Sequence, residues 1–250
     1  MSAEKATALV LKVVDFSETS AIVTLFTREF GKLSGLAKGA RRPKGPFESA
    51  LDLLGQSRIV FLRKSSGALD LLTEAKLDKR FRPRGRNLAC LYAGYYIAEL
   101  LTELTDEYDP HPELYDAAVE ALADLALEQL TAATVLRFEL RALRSLGHLP
   151  SFDTCAECGA KAPSTGRMTF GLLAGGVLCE NCRVGQRQLI SVNSAVLNTL
   201  QQFAHTDADW RSLELMPAIR GELRGVLNRY LAHLLGHKPR MHQYLGTLTS

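Results

Sequence analysis

Two Cys-x-x-Cys pairs constrain this chain more than any other feature. Cys155-Ala156-Glu157-Cys158 and Cys179-Glu180-Asn181-Cys182 are separated by 20 residues. A two-residue gap lets both thiolates of a pair face one ion, so the spacing predicts a tetrahedral four-sulfur zinc site. Such a site has no open coordination position and is structural, not catalytic. Gly159, Gly171, Gly175 and Gly176 supply the turns. Free dithiols, a degenerate site without metal and an iron–sulfur cluster draw on the same residues and stay open. In a reducing compartment the pattern reads as metal binding and not as disulfides. The fifth cysteine, Cys90, lies in a helical apolar pattern and is expected to be a buried, inert thiol. His233 and His237 are four apart on a helix, with no acidic partner beside them, and read as surface or packed residues.

The remaining 250-residue chain is ordinary for a packed protein, with 46% hydrophobic and 23% charged residues. No stretch approaches the roughly 18 apolar residues that cross a bilayer, and the start lacks a basic flank followed by an apolar run. The expected location is cytoplasmic, associated with the nucleoid if DNA is the ligand, with no membrane partner. Charge is unevenly spread. Residues 1–80 carry 14 Lys/Arg against 9 Asp/Glu, residues 81–150 carry 6 against 11, and residues 151–250 carry 10 against 7. A polyanion would meet the first third and not the middle.

Residues 6–77 read as β-rich. Strands are expected at 8–14, 21–26, 32–37, 58–62 and 68–72, where Val, Ile, Thr and Phe alternate between turn residues. Glu29-Phe30-Gly31-Lys32 reads as a hairpin turn, with Gly31 free to take positive φ. Five short strands in about 70 residues suit an OB-fold, and counting strands leaves an SH3-like barrel open. From Asn87, a helix cap, the period becomes helical. Helices are expected to about 104, then over 113–128, 132–146, 193–204 and 216–235. The expected class is α+β and multidomain: a five-stranded OB-fold barrel at 1–80, then an α-helical domain at 81–150 and 189–250. A four-cysteine zinc module at 151–188 is inserted in it.

A second signal is basic. Lys38, Arg41, Arg42 and Lys44 lie among Gly and Pro after the third strand, and Arg63-Lys64 ends the fourth. Lys79, Arg80, Arg82, Arg84 and Arg86 crowd the junction to the helices. Gly and Pro keep such segments as loops, where long cations reach a phosphate backbone. A solvated linker is the alternative. Phe47, Phe61 and Phe81 are as well suited to a core as to base stacking. No Gly-x-x-x-x-Gly-Lys-Ser/Thr loop and no Gly-x-Ser-x-Gly elbow occurs. The acidic residues of 106–128 read as a solvated helix face and not as a two-metal nuclease site. A binding module is expected, not an enzyme. A zinc-containing nucleic-acid-modifying enzyme and an RNA-binding protein are the alternatives.

The order of features resembles the RecO family of bacterial recombination mediators. Its carriers are Leu11-Lys12 with Asp15-Phe16-Ser17-Glu18-Thr19-Ser20, Thr27-Arg28-Glu29-Phe30-Gly31-Lys32, and Ala37-Lys38-Gly39-Ala40-Arg41-Arg42. Phe138-Glu139-Leu140-Arg141, Leu146-Gly147, Gly175-Gly176 and the four cysteines follow in place. The chain departs from the family at its end, where Lys238-Pro239-Arg240 stands instead of a Ser-Arg-type motif. The resemblance implies an N-terminal OB-fold, a helical domain and a zinc module. It also implies binding of single- and double-stranded DNA, annealing of complementary strands, and partnership with RecR and the single-stranded-DNA-binding protein SSB, leading to loading of RecA. Arg137, Arg141 and Arg144 share one helix face beside the apolar stripe Leu136, Leu140 and Leu143. That pairing suits the acidic, apolar SSB tail that the resemblance implies. The competing expectation is that these arginines only hold helices together.

Overall fold

Alternation of apolar and polar residues sets the strands of the first compact unit, residues 3–129. In this computed structural model, residues 3–42, 45–47, 49–64, 69–85, 87–205 and 209–248 are described. The strands are β1 (Ala3–Asp15), β2 (Ala21–Thr27), β3 (Gly31–Ala37), β4 (Gln56–Leu62) and β5 (Asp70–Lys79). They form a closed barrel in the order β1-β2-β3-β5-β4. β1 and β4 close it antiparallel from Ala3↔Leu62 to Leu9↔Gln56. β3 and β5 pair in parallel over three residues, Gly35↔Asp70 to Ala37↔Leu72. That parallel seam is the OB arrangement and decides against the SH3-like alternative. The inward set includes Ala8, Val10, Val23, Leu25, Leu33, Ile59, Phe61 and Leu72. Phe47 and Ala50, between β3 and β4, plug the same core, and Ser57 Oγ donates to Ala50 O at 2.8 Å.

The parallel seam is short, so β3 has free backbone groups below Gly35. The segment after helix α1 (Leu88–Leu104) fills that gap. Tyr108 N donates to Lys32 O at 2.8 Å, and Ser34 Oγ to Glu107 Oε1 at 3.1 Å. Lys32 Nζ donates to the carbonyls of Thr102, at 2.6 Å, and Thr105. Burial lowers the Lys32 ammonium pKa, partly offset by Asp106 and Glu107. Asn87 caps α1 through Oδ1, accepting from Ala89 N at 2.9 Å. Helix α2 (Pro112–Ala126) covers the outward Phe26, whose ring lies 6.3 Å from Tyr115. Arg28 grips Asp116 with two bonds of 2.9 and 3.1 Å.

Gly31 sits where this seam begins, at φ +72°, and a Cβ there would run into the backbone carbonyl of Asp109. Gly31→Ala combines a left-handed backbone with a displaced segment, so it is expected to cost on the order of 2 kcal/mol. Urea denaturation of the variant beside the parent chain measures this, and equal midpoints would rule it out.

A second compact unit begins at Leu130. It holds α3 (Thr131–Ser145), a small sheet, α4 (Ser194–Ala204) and α5 (Pro217–Leu235). The sheet has the order β7-β6-β8, with β6 Arg167–Gly171, β7 Gly176–Leu178 and β8 Leu189–Asn193. Asn193 caps α4 through Oδ1, accepting from Ala195 N at 2.9 Å. α3 and α5 are tied by Glu139 and Arg224, both buried, through bonds of 2.5 and 3.0 Å. Among the described residues no helix is long and apolar enough to cross a membrane.

Candidate functional site

Each cysteine pair forms a tight turn closed by its own backbone. Gly159 N donates to Cys155 O at 2.8 Å, and Arg183 N to Cys179 O at 3.1 Å. Gly159 adopts φ +73°, a conformation that a residue without Cβ takes freely. Ala156 N donates to Val177 O at 2.9 Å, which docks the first turn on β7. Cys179 follows β7 directly, so the hairpin β6–β7 delivers the second pair to the first. Phe152, Phe170, Val177 and Val192 are among the buried apolar residues of this region, and the Phe170 ring meets Tyr230 of α5 edge-on at 6.0 Å.

The four Sγ atoms lie within 4.8 Å of one another, and Cys158 Sγ is 3.8 Å from Cys179 Sγ. With zinc–sulfur bonds of about 2.3 Å, a tetrahedron has sulfur–sulfur edges of roughly 3.8 Å. The donor set therefore fits a tetrahedral metal ion. Desolvation pushes the Cys155 thiol up, but the backbone N–H groups of Cys158, Cys179 and Glu157 outweigh it and bring it down to about 6. The Cys182 backbone chiefly lowers Cys179, whereas sharing with the Cys179 and Cys158 sulfurs pushes Cys182 up to about 12. The cluster thus favours thiolate at some positions and keeps a shared proton at another, which a divalent cation would displace.

Of the basic residues singled out in the sequence, Lys38, Arg41, Arg42, Arg63, Lys64, Lys79, Arg80, Arg82 and Arg84 are exposed. Lys44 and Arg86 lie outside the described residues. The first two clusters follow β3 and β4, whose ends flank the same part of β5, since Leu71 pairs with Leu36 and Leu62, and Leu72 with Ala37 and Phe61. The third leaves from the other end of β5, where Lys79 pairs with Gln56. Arg41 N donates to Thr19 O at 3.2 Å and its side chain meets Asp15 at 2.9 Å, so the Lys38–Arg42 loop is anchored to the β1–β2 turn. Arg63 stacks 4.0 Å above the Tyr108 ring, and Arg80 lies 3.3 Å from Asp52. Phe47 and Phe61 are core, and Phe81 packs against Gly94 and Leu54 in the α1 region.

The α3 arginines differ from one another. Arg137 is buried and donates to the carbonyls of Phe203 and, at 2.8 Å, His205. Arg144 donates to Ala204 O at 2.6 Å. Two of the three therefore satisfy the open carbonyls at the end of α4. Sequence reading missed Glu139, the partner of Arg224. Its signal was a carboxylate inside the stripe Leu136, Leu140 and Leu143. Cys90 is buried, as its apolar pattern predicts.

Two family models match the chain in succession, meeting ahead of α1 and not at the boundary between the two compact units. Residues 1–81 match the model described as recombination protein O N terminal, and residues 86–243 match recombination protein O C terminal. A DNA repair protein RecO of Rhodopirellula baltica is 45% identical, covering 95% of this chain and 97% of its own. One from Myxococcus xanthus is 36% identical, covering 96% and 95%. One from Moorella thermoacetica is 29% identical, covering 98% and 91%. Matched through both of its parts and over nearly its whole length, the chain belongs to the RecO family.

Proposed function

We propose that this protein is a recombination mediator in DNA repair that binds single- and double-stranded DNA through its barrel and anneals complementary strands. The observation that carries the reading is the exposed cationic loop Lys38–Arg42, anchored on an OB barrel, in a chain of this family. Arg63 and Lys64 extend that surface, and Lys79, Arg80, Arg82 and Arg84 supply a further phosphate contact region. Backbone contacts of this kind carry no sequence code, which suits a protein that must act on any broken strand. RecR, the SSB tail and, functionally, RecA are the partners proposed from the family. With Arg137 and Arg144 donating to α4, no partner is assigned to the α3 face. Cys155, Cys158, Cys179 and Cys182 would hold one structural zinc, which supplies a cross-link and no reactive position.

Arg41→Ala with Arg42→Ala tests the barrel. Each lost phosphate contact on a single strand lowers the slope of log affinity against log salt by about 0.7, so the pair is expected to lower it by about 1.4. All sequences should weaken alike. Anisotropy titrations of oligonucleotides over a salt series read both effects. An unchanged slope and affinity would refute the assignment.

A further inference from the structure

α5, the end of the chain and the cysteine module enclose a groove of about 1110 Å³ in the second unit. Its cations are Arg229, Lys238 and Arg240, joined by His233 and His242, and no carboxylate lines it among the described residues. We propose that this groove is a second binding site for the sugar-phosphate backbone of a single DNA strand, separate from the barrel. The inference rests on DNA being the ligand of this chain.

Three features favour a strand. The first is extent. The α5 residues that line the groove run from Gly225 to His233, and the cap Gly236 follows. Eight rises of 1.5 Å give a run of about 12 Å, room for about three phosphates at the roughly 3.4 Å spacing of one strand. The second is lining. Gly225 and Gly236 carry no side chain, while Asn228, Gln188 and Gln243 offer amide donors. A peptide ending in apolar residues would need a closed apolar pocket instead. The third is the position of the charges. Lys238 and Arg240 lie just beyond the carbonyl end of α5, where a cation also offsets the helix dipole. Arg229 does not fit that explanation. It is exposed and stands six residues before Leu235, outside the last turn where the dipole acts.

One wall of the groove is Leu172 and Gln188, joined by a bond of 3.1 Å from Leu172 N to Gln188 O. That wall belongs to the cysteine module, which gives the module a part in DNA binding without placing its cysteines on the DNA. An annealing protein must hold two strands, and a second backbone site provides for the second one.

The test is photocrosslinking of the full chain to an oligothymidine carrying 4-thiothymidine, with crosslinked peptides mapped by mass spectrometry. The wild type is expected to crosslink in peptides of the barrel and in the peptide spanning 225–243. Arg229→Ala with Lys238→Ala should lose the second crosslink and keep the first. Its salt slope should fall by about 1.4, and annealing of complementary oligonucleotides should slow by about tenfold. Arg229→Gln with Lys238→Gln keeps the side-chain bulk and should behave alike, with circular dichroism and melting as in the wild type. Crosslinks confined to the barrel overturn this site alone. The absence of crosslinks anywhere overturns both it and the barrel reading. Binding of a fluorescent Asp/Glu peptide in the groove, with no oligonucleotide there, would also overturn it.

Discussion

If the four cysteines hold zinc as proposed, chelation is expected to unfold their module while residues 3–129 keep their fold. The module has few buried apolar residues, with Phe152, Phe170, Val177 and Val192 chief among them. Structural zinc contributes about 10–16 kcal/mol in isolated zinc-finger peptides, far more than a cluster of that size supplies. With zinc bound as proposed, metal binding and folding of the module are expected to be one event. Cys155→Ser should do most of what chelation does, because Cys155 is the buried ligand and accepts from Cys179 N at 3.4 Å. Acid should act in the same direction. Protons compete with the metal for the thiolates, so falling pH should release it. The measurement is amide exchange with and without chelator, alongside zinc release and DNA binding. Exchange in β6, β7 and β8 should rise, the groove crosslink should disappear, and barrel binding should remain. Metal loss with no change in exchange would show that the thiols are not what holds the module together.

Local rules carried much of this architecture. β3 alternates buried and half-buried residues along its length, and that alternation is already readable as Gly-Lys-Leu-Ser-Gly-Leu-Ala. Asn87 caps the helix expected after it, and Asn193, expected as the first residue of a helix, caps α4 through the same side-chain oxygen. The two-residue gaps made each thiolate pair legible, while the β6–β7 hairpin brings the two pairs together. Three features were not legible, each because it depends on residues far apart in the chain. The parallel pairing of β3 with β5 joins Ala37 to Leu72, and no local pattern encodes that register. The acidic residues from Asp106 read as a solvated helix face, yet the backbone of Tyr108 completes β3 at Lys32. The α3 arginines share a face by spacing alone, but only the position of α4 makes Arg137 a buried donor to its last carbonyls.

Glu139 is expected to be the most sensitive position of the second unit outside the cysteines. Its carboxylate is fully buried, and the Arg224 side chain that meets it is 10% exposed. Two bonds of 2.5 and 3.0 Å join them in a forked pair, and Arg224 also donates to Asn228 at 3.0 Å. A buried pair of this kind adds little net stability over an apolar pair of the same volume, because both charges lose their water. Removing one member is different, since the other stays buried without its counter-charge. Glu139→Ala is therefore expected to cost about 3–5 kcal/mol, and Arg224→Ala a similar amount. For a unit of this size that lowers the melting temperature by on the order of 10 °C. Replacing both residues by Met should recover most of the loss, because the uncompensated charge is gone. Adding the Glu139→Ala, Arg224→Ala double variant closes a double-mutant cycle by calorimetry, and the strong coupling expected is the signature of a desolvated pair. Single variants costing less than about 1 kcal/mol would show a solvated pair instead. Because the pair joins α3 to α5, and α5 carries Arg229, the single variants should also weaken the groove crosslink. The double Met variant should restore it along with stability.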